Sequence, residues 1–333
     1  TTPPAGFLPM LRVDANGRVT DALDAAAVRY SGDLGRTNKD LIVAVASSAG
    51  TSSLAILQKH DPAVTFSIAD VAGGGSAGGA RKFVYDQIST GASPEEWEFA
   101  AGQIGQTPDV QYATGSQGSV ALPYTAPSSP TRPANKATTL AVTTDGVVSE
   151  TLKAGVTTGV QPEFLVSGGF LSDDKTTIVA VGLSPNPGAP ASATGRYALR
   201  LYTVTNASST ATTAGIADVA GTYALRRLVV GSSPLTASGT LSIDASGGAT
   251  FASYADSAGS TAAPAAVPLT VLPETLEPLV TSSVSPSPVT QFWGVITGGA
   301  ADPTLYGKLS SRKDLIVFTQ TVGGASAITF ALR

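Results

Sequence analysis

The 333-residue chain carries 20 Lys and Arg against 24 Asp and Glu, for a formal net charge of −4 and a pI near 5.0. That balance excludes the clustered basic surface that a nucleic-acid phosphate backbone requires. Cys is absent and His occurs once, which excludes a thiolate metal site, a disulfide, a thiol nucleophile and a multi-His metal centre within one chain.

Hydrophobic residues make up 42% of the chain and charged residues 13%, so a core can form, while no run of eighteen apolar residues is long enough for a membrane-spanning helix. Thr1-Thr2-Pro3-Pro4 reads as a processed N-terminus. The low charge and the abundance of Ser, Thr and Gly point to an exported, bacterial protein, extracellular or on the cell surface.

Taken in order, the first apolar alternation surrounds Asp14-Ala15-Asn16-Gly17. An EF-hand calcium loop needs its Gly at the sixth position, and Gly17 stands at the fourth counting Asp14 as the first, so a tight hairpin turn is favoured. Strands follow near 41–45 and 53–58. His60, in Gln58-Lys59-His60-Asp61-Pro62, is the single imidazole that a Ser-His-Asp triad could use. Neighbouring side chains on an extended segment point to opposite faces, so His60 beside Asp61 reads as a solvated loop residue. The glycine-rich stretch from Gly73 to Gly79 lacks the Lys-Ser/Thr of a phosphate loop and reads as a link.

In the middle of the chain strands are expected over 81–88, 96–101 and 109–112. Ser93, Pro94, Glu95 and Glu96 also form a helix-start signal, which gives a short helical turn over 94–99 as the alternative. The proline-rich stretch 124–133 is a loop. Thr144-Asp145-Gly146 is a second hairpin turn, and Asp173-Asp174 beside Lys175 is a polar turn rather than a metal site. In the last third strands are expected over 223–230, 239–243, 249–254, 268–272 and 276–281, then 292–296 or 304–309, then 315–321 and 327–332. Asp244-Ala245-Ser246-Gly247-Gly248 joins two of them as a turn. Arg226-Arg227 and Arg312-Lys313 read as solvated turns or strand edges, and Trp97 and Trp293 as core or plug residues.

Several segments recur. Ile68-Ala69-Asp70-Val71-Ala72-Gly73 returns as Ile216-Ala217-Asp218-Val219-Ala220-Gly221. Leu11 to Val19 resembles Leu140 to Val148 and, more loosely, Leu269 to Leu276. Lys39-Asp40-Leu41-Ile42-Val43 matches Lys175-Thr176-Thr177-Ile178-Val179 and Lys313-Asp314-Leu315-Ile316-Val317. These families keep one order, so the chain is read as three parts: a partial β-repeat over 1–66, and β-repeat domains over 67–208 and 209–333.

The expected fold is all-β: tandem antiparallel up-and-down β-barrel or sandwich repeats of about eight strands, with an N-terminal half-repeat lacking its opening three strands. The half-repeat carries apolar faces that need cover, supplied by the neighbouring repeats, by a lost upstream segment, or by another subunit in a homo-oligomer or filament. The leading reading is a non-enzymatic structural or surface protein that self-assembles or adheres, with no cofactor and no metal. The alternative is a barrel holding one small ligand. An enzyme working through carboxylates alone could draw on Glu95, Glu96, Glu98, Glu150 or Glu163, but no spacing singles out a pair. Gly221-Thr222-Tyr223 and Leu171-Ser172-Asp173-Asp174-Lys175 resemble elements of β-rich bacterial lipoproteins and surface proteins, a resemblance that implies a place on the cell surface and assigns no residue a role.

Overall fold

The computed structural model describes residues 11–21, 30–35, 39–48, 51–72, 81–90, 96–104, 109–119, 138–152, 165–183, 197–204, 215–231, 233–263, 266–272, 295–298, 305–310, 312–322 and 325–333. These are almost entirely β, in three antiparallel sheets. The expected all-β, antiparallel class is therefore what the structure shows.

The first sheet runs β1 (Leu11–Val13), β2 (Arg18–Asp21), β3 (Ser31–Leu34), β4 (Leu41–Ser48) and β5 (Thr51–Gln58), each strand paired with the next. The second contains β6 (Arg81–Thr90), β7 (Glu96–Ile104), β8 (Asp109–Ser119), β9 (Thr138–Val142), β10 (Val147–Leu152), β11 (Leu165–Leu171), β12 (Thr177–Leu183) and β13 (Tyr197–Val204). Its last strand pairs with its first, from Tyr197↔Thr90 to Val204↔Phe83, so the ladder returns on itself as a ring. The third contains β14 (Gly221–Val230), β15 (Leu235–Ile243), β16 (Gly248–Asp256), β17 (Val267–Leu272), β18 (Val295–Gly298), β19 (Leu305–Leu309), β20 (Leu315–Val322) and β21 (Ala325–Leu332). It closes in the same way between β14 and β21, from Ala224↔Leu332 to Val230↔Ser326. Each ring has a thin seam. β8 meets β9 only at Asp109↔Thr139 and Val110↔Thr138, and β16 meets β17 only at Gly248↔Pro268 and Ala249↔Val267.

Two expectations change. Residues 96–104 form β7, paired with β6 from Ile88↔Trp97 onward, so the helix-start signal at Ser93 and Pro94 does not lead into a helix there. Ladder pairing on both sides outweighs a local capping preference. The choice between 292–296 and 304–309 also dissolves, because β18 and β19 are both strands and pair with each other. The stretches 1–10, 73–80, 91–95, 124–133 and 276–281, with Glu163 and Trp293, lie outside the described residues, as do the side chains of Glu96, Trp97 and Glu98.

Strand alternation accounts for the packing. On β20, Ile316 and Phe318 point into the third sheet's own core with Tyr223, Leu225 and Leu241, while Leu315 and Val317 point outward. The outward residues join Ile328, Phe330 and Leu332 of β21, Ile88 and Leu201 of the second sheet, and Val43, Leu41, Leu54 and Ile56 of the first. A strand buried on both sides reads as a continuous apolar run, which is what Leu315-Ile316-Val317-Phe318 is. The apolar side of the five-stranded sheet is thus covered within the chain. The second ring encloses its own cluster, built on Phe83, Tyr85, Tyr202, Leu140 and Ile178. Leu140 and Leu269, like Ile178 and Ile316, are buried in their respective cores.

Candidate functional site: charged groups between and inside the sheets

Three turns meet where the sheets come together. One precedes β4, one joins β11 to β12 and one joins β19 to β20, and each carries a lysine with positive φ: Lys39 at 53°, Lys175 at 62° and Lys313 at 61°. A non-glycine residue in that region is sterically disfavoured by about 1–2 kcal/mol, so local bonds must hold it there. They do. Ser172 Oγ donates to Asp174 and accepts from the N–H groups of Thr176 (3.2 Å) and Thr177 (2.9 Å). Ser310 Oγ donates to Asp314 (2.7 Å) and accepts from the N–H groups of Asp314 (3.2 Å) and Leu315 (3.1 Å).

The recurring sequence segments touch one another. Ile68–Asp70 is a 3-10 turn and Ile216–Val219 a short helix, α1, and each precedes the opening strand of its ring. Val71 and Val219 are wholly buried in the respective ring cores. Lys175 Nζ donates to Asp70 Oδ1 (2.8 Å), and Lys313 Nζ donates to Asp218 Oδ1 (2.5 Å). Burial works to raise the Asp70 carboxyl, but the hydrogen bonds from Lys175 and from the Ser67 N–H outweigh it and hold the carboxyl below its ordinary range. Asp218 is held low chiefly by Lys313, helped by the Gly215 N–H.

Arg312 ties the three turns together. Its Nη1 donates to Asp40 Oδ2 (2.7 Å) of the first sheet and its Nε donates to Asp174 Oδ2 (2.6 Å) of the second, while the residue itself belongs to the third. It borders a cleft of about 40 Å³ lined also by Gln58, Ser172 and Asp314. No cluster of three or more His, Cys, Asp or Glu able to hold a metal is found among the described residues.

Arg226 and Arg227 overturn the solvated reading, being 5% and 1% exposed. They sit in the middle of β14, so alternation sends one to each face. Arg226 points out of the ring and pairs with Asp33 Oδ2 of β3 (2.8 Å), bonding the first sheet to the third. Arg227 points into the ring, donates through Nε to Thr329 Oγ1 (2.8 Å), and lies 5.5 Å from the Phe251 ring centre. Burial depresses both guanidinium pKa values, opposed at Arg226 by Asp33 and at Arg227 by the phenol of Tyr254. Arg312 and Lys313 do occupy a turn, and both are paired.

The second ring holds a matching residue that the sequence did not flag. Arg200, on β13, is 1% exposed. Its Nε and Nη2 donate to Gln87 Oε1 (2.8 and 2.6 Å), its Nη1 donates to Tyr202 Oη (2.7 Å), and the guanidinium lies 4.4 Å over the Tyr85 ring. Glu150 Oε2 stands 3.9 Å from Nη1. Glu150 also accepts from Thr138 Oγ1 (2.8 Å) and from the Val166 N–H (3.1 Å). Of the five candidate carboxylates, Glu150 therefore lies inside a ring as the counter-charge of an arginine.

Between the rings, Thr319 Oγ1 of β20 donates to Asp86 Oδ1 of β6 (3.2 Å). Burial pushes the Asp86 carboxyl well above the usual carboxylate range, against the pull of Thr319 and Lys308.

His60 does not act with Asp61. Its Nδ1 lies 3.1 Å from Asp173 Oδ1, with 42% of its side chain exposed, and the Asp61 N–H donates to Asp173 Oδ2 (2.9 Å). Asp14-Ala15-Asn16-Gly17 is the β1–β2 turn: Asp14 Oδ1 accepts from the N–H groups of Asn16 (2.8 Å) and Arg18 (2.9 Å), and Gly17 takes φ +79°, closed to most residues with a Cβ. Asp14 Oδ1 is thus turned onto backbone donors.

No protein-family model matches the chain, and no curated protein matches it. Solved structures resemble it only weakly, among them the following three. A protein of unknown function from the DUF3598 family of Nostoc punctiforme has 11% identity and a TM-score of 0.24, covering 77% of this chain and 95% of its own. The isotype 1 transferrin binding protein B of serogroup B Neisseria meningitidis has 10% identity and a TM-score of 0.25, covering 97% of this chain. Intact Ap-TbpB, with N and C lobes, has 10% identity and a TM-score of 0.25, covering 95%. The chain spans 57% and 59% of those last two chains. At these TM-scores the likenesses assign no function to this protein.

Proposed function

We propose that this chain is a non-catalytic, exported structural protein whose five-stranded sheet and two rings act as one rigid body at the cell surface. The observation that carries this reading is Arg312, whose fork joins carboxylates from two other sheets across the point where all three meet. Two further ties, Arg226–Asp33 and Thr319–Asp86, cross the same boundaries, and one apolar cluster runs through all three sheets. Networked, half-buried ion pairs are worth more than isolated surface pairs, and they fix relative orientation. Low charge and the Ser/Thr/Gly-rich composition support a place outside the cell. We also infer that the three sheets descend from one repeated unit, on the strength of the shared lysine turns and of the Asp70 and Asp218 contacts they make.

Calorimetry tests the rigid-body reading. The intact chain is expected to unfold in one transition, and Arg312→Ala to lower stability by about 1–3 kcal/mol and split the transition. Separate transitions in the unmodified chain would sink the idea. Labelling of intact cells with an antibody tests the location. Self-association through the N-terminal half-repeat is also proposed, but through strand edges. Its apolar side is already covered, whereas β1 and β5 each pair on one side only among the described residues. Light scattering of the intact chain at high concentration decides it, and a monomer ends it.

The small-ligand reading is weaker for the second ring, whose interior is occupied by Phe83, Tyr85, Tyr202 and Arg200. Side chains that stack on one another there take the space a ligand of ordinary size would need.

A further inference from the structure

We propose that the outer face of β11, β12 and β13 docks on the same face of a second copy of this chain, about a two-fold axis. The surface is apolar and open. Five large apolar side chains are exposed among the described residues, and three of them lie here: Phe170 on β11, Val181 on β12 and Tyr197 on β13, at 59%, 47% and 46%. Register makes them neighbours. Phe170 stands opposite Val179 and Val181 opposite Leu199, while Val179 and Val181, like Tyr197 and Leu199, are two residues apart and share a face. Val179 and Leu199 are themselves packed against the apolar cluster that joins the three sheets. The open patch therefore continues that interface outward. A grouped apolar patch on adjoining strands marks an interaction surface, where single exposed residues do not.

The other two sheets show what this face does when it is covered. The place of Phe170, opposite Val179, is held by Asp33 opposite Val43 in the first sheet and by Lys308 opposite Val317 in the third. Asp33 pairs with Arg226 of β14 at 2.8 Å, and Lys308, itself buried, pulls on the carboxyl of Asp86 of β6. Each covered face thus meets the opening strand of a ring with an opposite charge. Arg226 and Asp86 are both buried in these contacts, so a second copy has neither opening strand to offer. Phe170 carries no charge, and neither do Val179, Val181, Tyr197 and Leu199 around it. A charge at that position would face its own copy and repel it, whereas an apolar ring can meet its equal. Geometry supplies the fit. Gly168 shares the face with Phe170, opposite Val181, and a Cβ there would meet no atom within 4 Å. β11 therefore carries a knob and a notch two residues apart. Across a two-fold axis each Phe170 ring enters the notch at the other copy's Gly168, the reciprocal contact that an isologous interface requires.

Sedimentation velocity of the full chain at rising concentration tests this. The mass is expected to rise from one chain to two and stop there, and growth beyond two copies overturns the closed two-fold arrangement. Phe170→Asp sets a carboxylate against each partner's notch and is expected to weaken the dimer more than about tenfold, with the melting temperature of the single chain unchanged because the ring is exposed. Gly168→Leu is the sharper variant. It enlarges the apolar surface but fills the notch, so the dimer is expected to weaken, whereas a merely sticky patch would associate more tightly. Stronger association in Gly168→Leu therefore overturns the proposal. A dimer of full strength in Phe170→Asp also overturns it and leaves the strand-edge association standing, so the two readings fail separately. A chain that stays single at high concentration overturns both. Phe170→Cys, which gives the chain its one thiol, then says what takes the face: fast modification by a thiol reagent leaves it to a different protein, and slow modification shows that another part of this chain covers it.

Discussion

The two rings treat a buried arginine in different ways. In one, Arg200 has every face engaged: two donors on Gln87, one on Tyr202, aromatic rings against the plane, and Glu150 as counter-charge. In the other, Arg227 is equally buried, bonds to a hydroxyl and leaves an N–H open. Both rings turn a long cationic side chain into an apolar interior, and among the described residues Arg200 has a carboxylate beside it, Glu150, while Arg227 is held by a hydroxyl and an aromatic ring. The surroundings of a cation inside a ring decide how firmly it is held there.

The largest predicted effect follows from that difference. Glu150→Ala removes the counter-charge of Arg200 and strands the Val166 N–H and the Thr138 hydroxyl, so a loss of about 3–5 kcal/mol is expected in urea unfolding. Arg227→Met in the other ring exchanges a buried guanidinium held by one hydroxyl and an aromatic ring for an apolar side chain and should be neutral or stabilising. Equal losses in the two variants would show that the rings are energetically alike and that the comparison has no content.

Asp86 sharpens the comparison at the boundary between the rings. Its carboxyl is raised well above the ordinary value by burial, so the folded state holds its proton at a pH where the unfolded state has released it. The unfolded chain then binds fewer protons than the native one, and stability falls as pH rises from the ordinary carboxylate pKa through the raised one. The carboxylates held low, Asp70, Asp145, Asp218 and Asp244, act in the opposite sense and in a lower window, losing their contribution only as pH falls below the ordinary value. Urea midpoints between pH 5 and pH 8 therefore isolate Asp86 from these four. They should decline in the unmodified protein and flatten in Asp86→Asn. A decline of the same slope in Asp86→Asn would place its origin elsewhere.

Much of the scaffold is readable in the sequence, and the reasons are local. Asn16-Gly17 and Asp145-Gly146 announce turns because φ is positive there, at +79° and +81°. Ile178 and Ile316 announce cores because apolar residues alternate around them. The charged sites are less legible. Arg226-Arg227 looks like a solvated pair when judged as two adjacent charges. The better signal was their place in the middle of an expected strand, since period-two alternation must send one of them inward. Arg200 lies between Leu199 and Leu201 and carried the same unread signal. Glu150 was one of five carboxylates without a spacing, because its partners lie on other strands, at Thr138, Val166 and Arg200. Asp86 gave no sign at all, since its environment is made by Thr319 and Lys308, more than two hundred residues away in the chain. Pairing across sheets is set by topology, and topology is not visible in local patterns.

The smallest expected effect belongs to His60, the residue that scarcity alone makes conspicuous. It lies in the segment between β5 and the 3-10 turn, with 42% of its side chain exposed and its imidazole Nδ1 against Asp173. An exposed pair of this kind contributes about 0–1 kcal/mol. The segment is held independently, because the Asp61 N–H keeps its own bond to Asp173 and the Phe66 N–H donates to the Thr144 carbonyl. His60→Ala removes the imidazole and its contact with the Phe66 ring, 5.6 Å between centres, and leaves both backbone anchors in place. The change in stability should stay within about 0.5 kcal/mol, as for an ordinary surface site. Urea unfolding of the variant beside the unmodified chain measures it. A loss of several kcal/mol would move His60 from the periphery of the scaffold into the set of charged struts that Arg200 and Arg312 exemplify, and would require the His60–Asp173 pair to carry part of the contact between the chain leaving the first sheet and the second ring.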